Sequence, residues 1–129
     1  MCVRIEIAVK VVDASALAAL LFAEPEAAFV AGQLMGSRLL APALLGFELA
    51  NVCLIKSRRH PDQTAALMEA FRLRDRLGVE EMPVDHAGVV AIGVDTGLTA
   101  YDAGYFWLSQ ALGAALVTLD RKLARAAAG

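Results

Sequence analysis

The sequence predicts an α/β protein, a three-layer α/β/α sandwich built around a parallel sheet of at least four strands. Three observations in the 129 residues carry that expectation. Short β-branched runs recur, and one or two helical segments separate each from the next, as right-handed crossovers between parallel strands require. The run containing Val9, Val11 and Val12 is apolar almost without alternation, the pattern of a strand buried on both faces. Two of the runs end in aspartate, at Asp13 and Asp120, and an open parallel sheet gathers its ligands at those strand ends.

The elements follow in order. Ile5 to Val12 reads as the first strand, followed by a short helix from Ser15 to Phe22. A second helix is expected from Pro25 to about Leu34, with Pro25 in its first turn. Leu39 to Ala41 makes a brief second strand before Pro42. Ala43 to Arg59 is the strongest helix signal, and His60-Pro61 separates it from another running from Pro61 to Leu77. Gly78 is the stop for that helix. Val79 to Val84 is the third strand, and Asp85 caps a helix reaching about Asp95. Thr99 to Leu112 is helical, Ala114 to Leu119 the fourth strand, and Asp120 to Ala127 the last helix.

Composition narrows the function classes. With 58 % hydrophobic and 20 % charged residues the chain is not of the disordered kind. No apolar run reaches the roughly 18 residues of a membrane span. Arg4, Glu6, Lys10 and Asp13 interrupt the apolar N-terminus, unlike a signal peptide. One soluble, cytoplasmic domain over residues 1–129 is therefore expected. Twelve basic against fourteen acidic residues leave a net charge of −2, so nucleic-acid binding must rest on a local patch or on metal ions. Cys2 and Cys53 match no disulfide framework and no zinc spacing; Cys53 reads as a buried thiol.

The acids carry the chemistry. Asp13 and Asp120 stand at the ends of strands expected to be neighbours, and each is also a good helix N-cap. Glu48 lies in the apolar helix Leu44 to Ile55 on one stripe with Asn51, Val52 and Ile55. A carboxylate there costs several kcal/mol unless it is paired, for instance with an arginine, or ligates a cation. Asn51 is then placed to hydrogen-bond Glu48 or an aspartate. Asp102 is three residues after Thr99, the spacing of a capping box, beside Tyr101, Tyr105, Phe106 and Trp107, which read mainly as core. Clustered carboxylates repel and raise one another's pKa, and hard oxygen donors of this kind suit Mg²⁺ or Mn²⁺ rather than zinc. His60 and His86 stand apart at helix boundaries.

The segments around Val12-Asp13-Ala-Ser15, Glu48-Leu-Ala-Asn51, Tyr101-Asp102-Ala-Gly-Tyr105 and Thr118-Leu-Asp120-Arg-Lys resemble, in order and spacing, the PIN-domain ribonucleases, particularly the VapC toxins of toxin–antitoxin pairs. The resemblance covers nearly the whole chain. It implies that Asp13, Glu48, Asp102 and Asp120 form an acidic quartet, that Asp13, Asp102 and Asp120 ligate the metal, and that Ser15 and Thr118 support the aspartates. That family commonly adds a strand after the last helix, so the sheet is expected to hold four or five strands. The implied activity is Mg²⁺- or Mn²⁺-dependent cleavage of RNA, with Lys56, Arg58, Arg59, Arg121 and Lys122 as candidates for phosphate contacts. The implied partner is a small antitoxin protein that uses an arginine to enter the acidic pocket.

Apolar residues on more than one helix face, Leu17, Leu20, Leu21, Phe22, Leu49 and Leu54, mark surface for that antitoxin and for a homodimer contact. Two other classes remain: a PIN-like module that binds RNA or a partner without cutting, and a receiver-type signalling domain with a strand-end aspartate as phosphoacceptor. The latter wants an acidic pair near Asp13 and a strand-end lysine, and the chain supplies neither. An aspartate-nucleophile phosphatase wants an aspartate where Ser15 stands.

Overall fold

A computed structural model describes residues 7–129. Four strands form one parallel sheet: β1 (Val9–Val12), β2 (Arg38–Pro42), β3 (Glu80–Met82) and β4 (Ala115–Val117), in the order β3-β2-β1-β4. Seven α-helices surround it: α1 (Ala14–Leu21), α2 (Ala27–Leu34), α3 (Leu45–Arg59), α4 (Thr64–Arg72), α5 (His86–Thr96), α6 (Ala100–Leu112) and α7 (Arg121–Ala128).

The strand order explains where a site can form. Successive right-handed crossovers step from β1 to β2 to β3, and the chain then returns past the start to lay β4 on the other side of β1. The direction of winding reverses between β1 and β4. Helices on either side diverge there and leave a crevice at the carboxyl ends of the two strands. In register, Val11 pairs with Leu40 and Leu116, so β1 is the central rail of the sheet. Its Val11 and Val12 are fully buried, as the unbroken apolar run required.

Helix α6 packs on β1 and β2 with α5 outside it. Gly88 makes that α5–α6 contact possible, because a Cβ there would lie 2.5 Å from Trp107 Nε1. Helix α1 packs against α2 and α3. Leu17, Tyr105 and Leu108 are among the largest fully buried side chains.

Several expectations need correction. The described part of the first strand begins at Val9, and Cys2, Arg4, Ile5 and Glu6 lie outside the described residues. Pro25 precedes the N-cap of α2, Glu26, rather than sitting in its first turn. The helix expected from Pro61 to Leu77 is divided into a 3-10 turn at Pro61–Gln63, α4, and a second 3-10 turn at Arg74–Leu77. Gly78 does end that segment, at φ 67°, a left-handed conformation that glycine takes without penalty. The described sheet has four strands. No described helix is long and apolar enough to cross a membrane.

The surplus apolar surface also lies elsewhere than expected. Leu17 and Leu49 are core, while Leu20, Leu21 and Phe22 are half-buried under neighbouring helices. Leu54 is exposed, and the other exposed apolar side chains are spread over several helices, among them Phe29 on α2, Phe47 and Ile55 on α3, and Val90 and Val94 on α5.

Candidate active site

Asp13, Glu48, Asp102 and Asp120 line one pocket of about 240 Å³ together with Ser15, Asn51 and Val52. Each acid sits at the beginning of a helix. Asp13 and Asp120 are the N-caps of α1 and α7, and Glu48 and Asp102 lie in the first turns of α3 and α6. Parallel strands deliver helix N-termini to the same sheet edge, so four positive dipole ends converge on the four carboxylates and offset part of their repulsion.

The floor of the pocket is a closed hydrogen-bond network. Asp13 is buried, with 4 % of its surface exposed. Its Oδ1 accepts bonds from Ser15 Oγ at 2.7 Å and Ala16 N at 3.0 Å, and its Oδ2 accepts one from Thr118 Oγ1. Each hydroxyl is itself anchored by the turn after β4: Leu119 N donates to Ser15 Oγ at 2.9 Å, and Asp120 N donates to Thr118 Oγ1 at 3.0 Å. Ser15 and Thr118 thus hold Asp13 and tie β1 to β4 across the crevice. Asp120 Oδ1 caps α7 by accepting from Leu123 N at 3.0 Å.

The wall is held differently. No arginine pairs with Glu48 among the described residues; its Oε1 accepts a 2.8 Å bond from the hydroxyl of Tyr105, which is fully buried. Tyr105 is core, as expected, but its hydroxyl belongs to the site. The signal was its position three residues after Asp102, on the same face of α6. Thr99 Oγ1 accepts from Asp102 N at 3.2 Å, but the reciprocal bond of a capping box is not formed among the described residues. The Asp102 carboxylate lines the pocket without a hydrogen-bond partner among the described residues. Asn51 lines the pocket and makes none of the expected bonds to the acids. Tyr101, read from sequence as core, is 62 % exposed.

Asp13, Glu48 and Asp102 titrate high, chiefly through burial. Desolvation raises Asp13 against the pull of its Thr118, Ser15 and Ala16 bonds, and Asp120 adds repulsion. Glu48 is also raised by desolvation, partly countered by the Tyr105 bond, with smaller contributions from Asp102 and Asp13. Desolvation again leads for Asp102, followed by Asp120 and Asp13, and the charge of Lys122 pulls the other way. Tyr105 is pushed far above its usual range by burial and by Glu48. Repulsion contributes, but it is the lesser cause.

Of the basic candidates, Lys122 alone registers on an acid of the pocket; its Nζ donates to Gly97 O at 2.9 Å. Lys56 is engaged elsewhere, 2.7 Å from Glu24 and over the ring of Phe22. Arg58, Arg59 and Arg121 are exposed.

The donor set fits a hard divalent cation. Asp13 Oδ2, Asp120 Oδ2 and Glu48 Oε2 each keep acceptor capacity, and both oxygens of Asp102 do. As the side chains stand, no three His, Cys, Asp or Glu among the described residues close into a finished ligand shell.

A model of the PIN domain matches residues 10–129. The chain belongs to the PIN domain family. PIN domains are in general nucleases, typically dependent on divalent metal. Among solved structures, the PIN chain is similar to one described as PAE2754 from Pyrobaculum aerophilum, at 25 % identity and a TM-score of 0.73, over 94 % of this chain and 87 % of that one. None of the curated proteins matches.

Proposed function

We propose that this PIN domain is a metal-dependent endoribonuclease acting as the toxin of a toxin–antitoxin pair in the cytoplasm. The single observation that carries the nuclease reading is the convergence of Asp13, Glu48, Asp102 and Asp120 in one pocket, with no basic side chain hydrogen-bonded to any of them among the described residues. Among the described residues Lys122 is the one cation felt by these four acids, through Asp102, and Mg²⁺ or Mn²⁺ is the further charge they suit.

Asp13, Asp102 and Asp120 are assigned as ligands. A cation held there supplies charge stabilisation at the attacked phosphate and lowers the pKa of water for attack. Ser15 and Thr118 fix Asp13 and favour its ionised form against the cost of burial, because every contact they make to it is a donated hydrogen bond. Glu48, steadied by Tyr105, offers Oε2 to orient the attacking water. Lys122, whose charge is felt by Asp102, is assigned the contact to a phosphate oxygen.

The same network argues against a phosphoacceptor role for Asp13, whose Oδ1 already accepts two bonds and Oδ2 one. The toxin assignment rests on the VapC-like motifs, and with it come a small antitoxin, insertion of its arginine into the pocket, and a homodimer. Purified protein incubated with labelled structured RNAs is expected to cut them in Mn²⁺ and not in EDTA. Binding without cutting in Mn²⁺ would make it a non-cleaving PIN module. Expression alone is expected to arrest growth, and co-expression with an adjacent small reading frame to restore it and yield a co-purifying complex. Equal growth in both cases with no co-purifying partner would defeat the toxin assignment and leave the nuclease standing.

A further inference from the structure

Two of the four acids are preceded in sequence by an exposed aromatic residue: Phe47 comes before Glu48, and Tyr101 before Asp102. On a helix the preceding residue is turned about 100° around the axis, so a side chain there points beside the pocket rather than into it. Phe47 is 86 % exposed and Tyr101 62 %, although they come from different helices, α3 and α6. Together with Leu44, Glu48 and Asn51 they line a groove of about 540 Å³. Glu48 and Asn51 are also walls of the acidic pocket, so the two spaces adjoin along α3.

We propose that this groove is a stacking site for an unpaired nucleobase adjacent to the phosphate held at the acids. The inference rests on the nuclease reading and says which part of the RNA the protein grips. Three features favour that occupant. The groove shares Glu48 and Asn51 with the acidic pocket, so it lies within reach of the next group of a ligand whose phosphate sits at the carboxylates. The lining contains a carboxylate and no cationic side chain, which disfavours an anionic group and tolerates a neutral planar one. Two aromatic faces bind any base by stacking, and the exposed Asn51 amide offers both a donor and an acceptor to a base edge. Bases in a duplex cannot reach such a groove, so single-stranded segments are the favoured substrate.

The test uses the full chain with Ca²⁺ as the cation and a single-stranded RNA carrying one 2-aminopurine, whose fluorescence falls on stacking. Binding is followed by anisotropy, and intact RNA is checked on a gel. Wild type is expected to bind with quenching and to prefer the single strand to the same sequence in a duplex. Phe47→Ala and Tyr101→Ala are each expected to weaken binding about tenfold, the scale of one lost base–aromatic stack, and to reduce quenching. Phe47→Tyr should restore both. Mn²⁺ affinity, measured by calorimetry, should not change in any of these variants.

If the double alanine variant binds and quenches like wild type while wild type still cuts RNA in Mn²⁺, the stacking site is wrong and the nuclease reading survives. Unchanged RNA binding with a shift of oligomeric state in sedimentation would make the groove an interface between copies and overturn the proposal. Failure of wild type to bind any RNA defeats both readings together.

Discussion

The floor and the wall of the acidic pocket solve the same problem in opposite ways. On the floor, Asp13 is buried and receives three hydrogen bonds, and the two hydroxyls that donate are themselves pinned by the β4–α7 turn. On the wall, Asp102 is half-exposed with no partner among the described residues, and Glu48 depends on a single tyrosine hydroxyl. The floor belongs to the fold as much as to the chemistry: its network joins two strands and starts α1. On the wall the Tyr105–Glu48 bond joins α6 to α3, while the Asp102 side chain makes no such tie among the described residues. Stability and function thus separate by position within one pocket.

Substitutions on the two sides should therefore diverge. The largest effect is expected from Asp13→Ala. It removes the N-cap of α1 and strands the Ser15 and Thr118 hydroxyls, and the relief of burying one charge fewer offsets only part of this. A loss of about 2 kcal/mol in urea unfolding is expected, together with loss of cleavage. Asp102→Asn should also abolish cleavage, yet leave the melting temperature of the metal-free protein unchanged or raised, because it removes a desolvated, repelled charge that caps nothing with its side chain. An equal drop for both variants would erase the contrast between floor and wall.

Tyr105→Phe tests the wall's one hydrogen bond. Losing a buried hydroxyl donor to a carboxylate is expected to cost about 1.5 kcal/mol of stability and to lower the cleavage rate without eliminating it. In a Glu48→Gln, Tyr105→Phe double-mutant cycle the coupling energy should vanish only if the two residues do not interact.

The floor was the more legible half of the site in the sequence. Two β-branched runs ending in aspartate announce strand ends, and Ser15 and Thr118 sit within two residues of those acids, a local pattern that short-range geometry converts directly into hydrogen bonds. The fold followed from the same signals, because unbroken apolar strands alternating with helices leave few topologies. The wall depends on contacts between residues far apart in the chain. Tyr105 and Glu48 are separated by 57 positions, and nothing local reveals that α6 turns that hydroxyl toward α3. Tyr101 looked like core for the complementary reason: composition marks an aromatic as apolar, but only packing decides whether it is covered. The break of the Pro61–Leu77 segment into α4 and two 3-10 turns was hidden because its sequence, rich in helix formers, favours a continuous helix.

A smaller effect follows from pH. Asp13, Glu48 and Asp102 all have carboxyls raised above their ordinary values. The folded protein then holds these protons more tightly than the unfolded chain, so their contribution is greatest below the ordinary carboxyl range near pH 4 and declines as pH rises through the raised values. The contribution of these carboxyls to the melting temperature of the metal-free protein is expected to be larger at pH 4 than at pH 7, with a smaller difference in Asp102→Asn. Melting curves across that interval decide it.

The central claim is that the pocket is a cation site completed across floor and wall. Its most direct test is the melting temperature with and without Mn²⁺ for wild type and Asp102→Asn. A ligand at one hundred times its dissociation constant stabilises the folded state by about 2.7 kcal/mol, several degrees for a chain of this size. Wild type should rise by that amount and Asp102→Asn by clearly less. No rise in wild type, or equal rises in both proteins, would contradict the account.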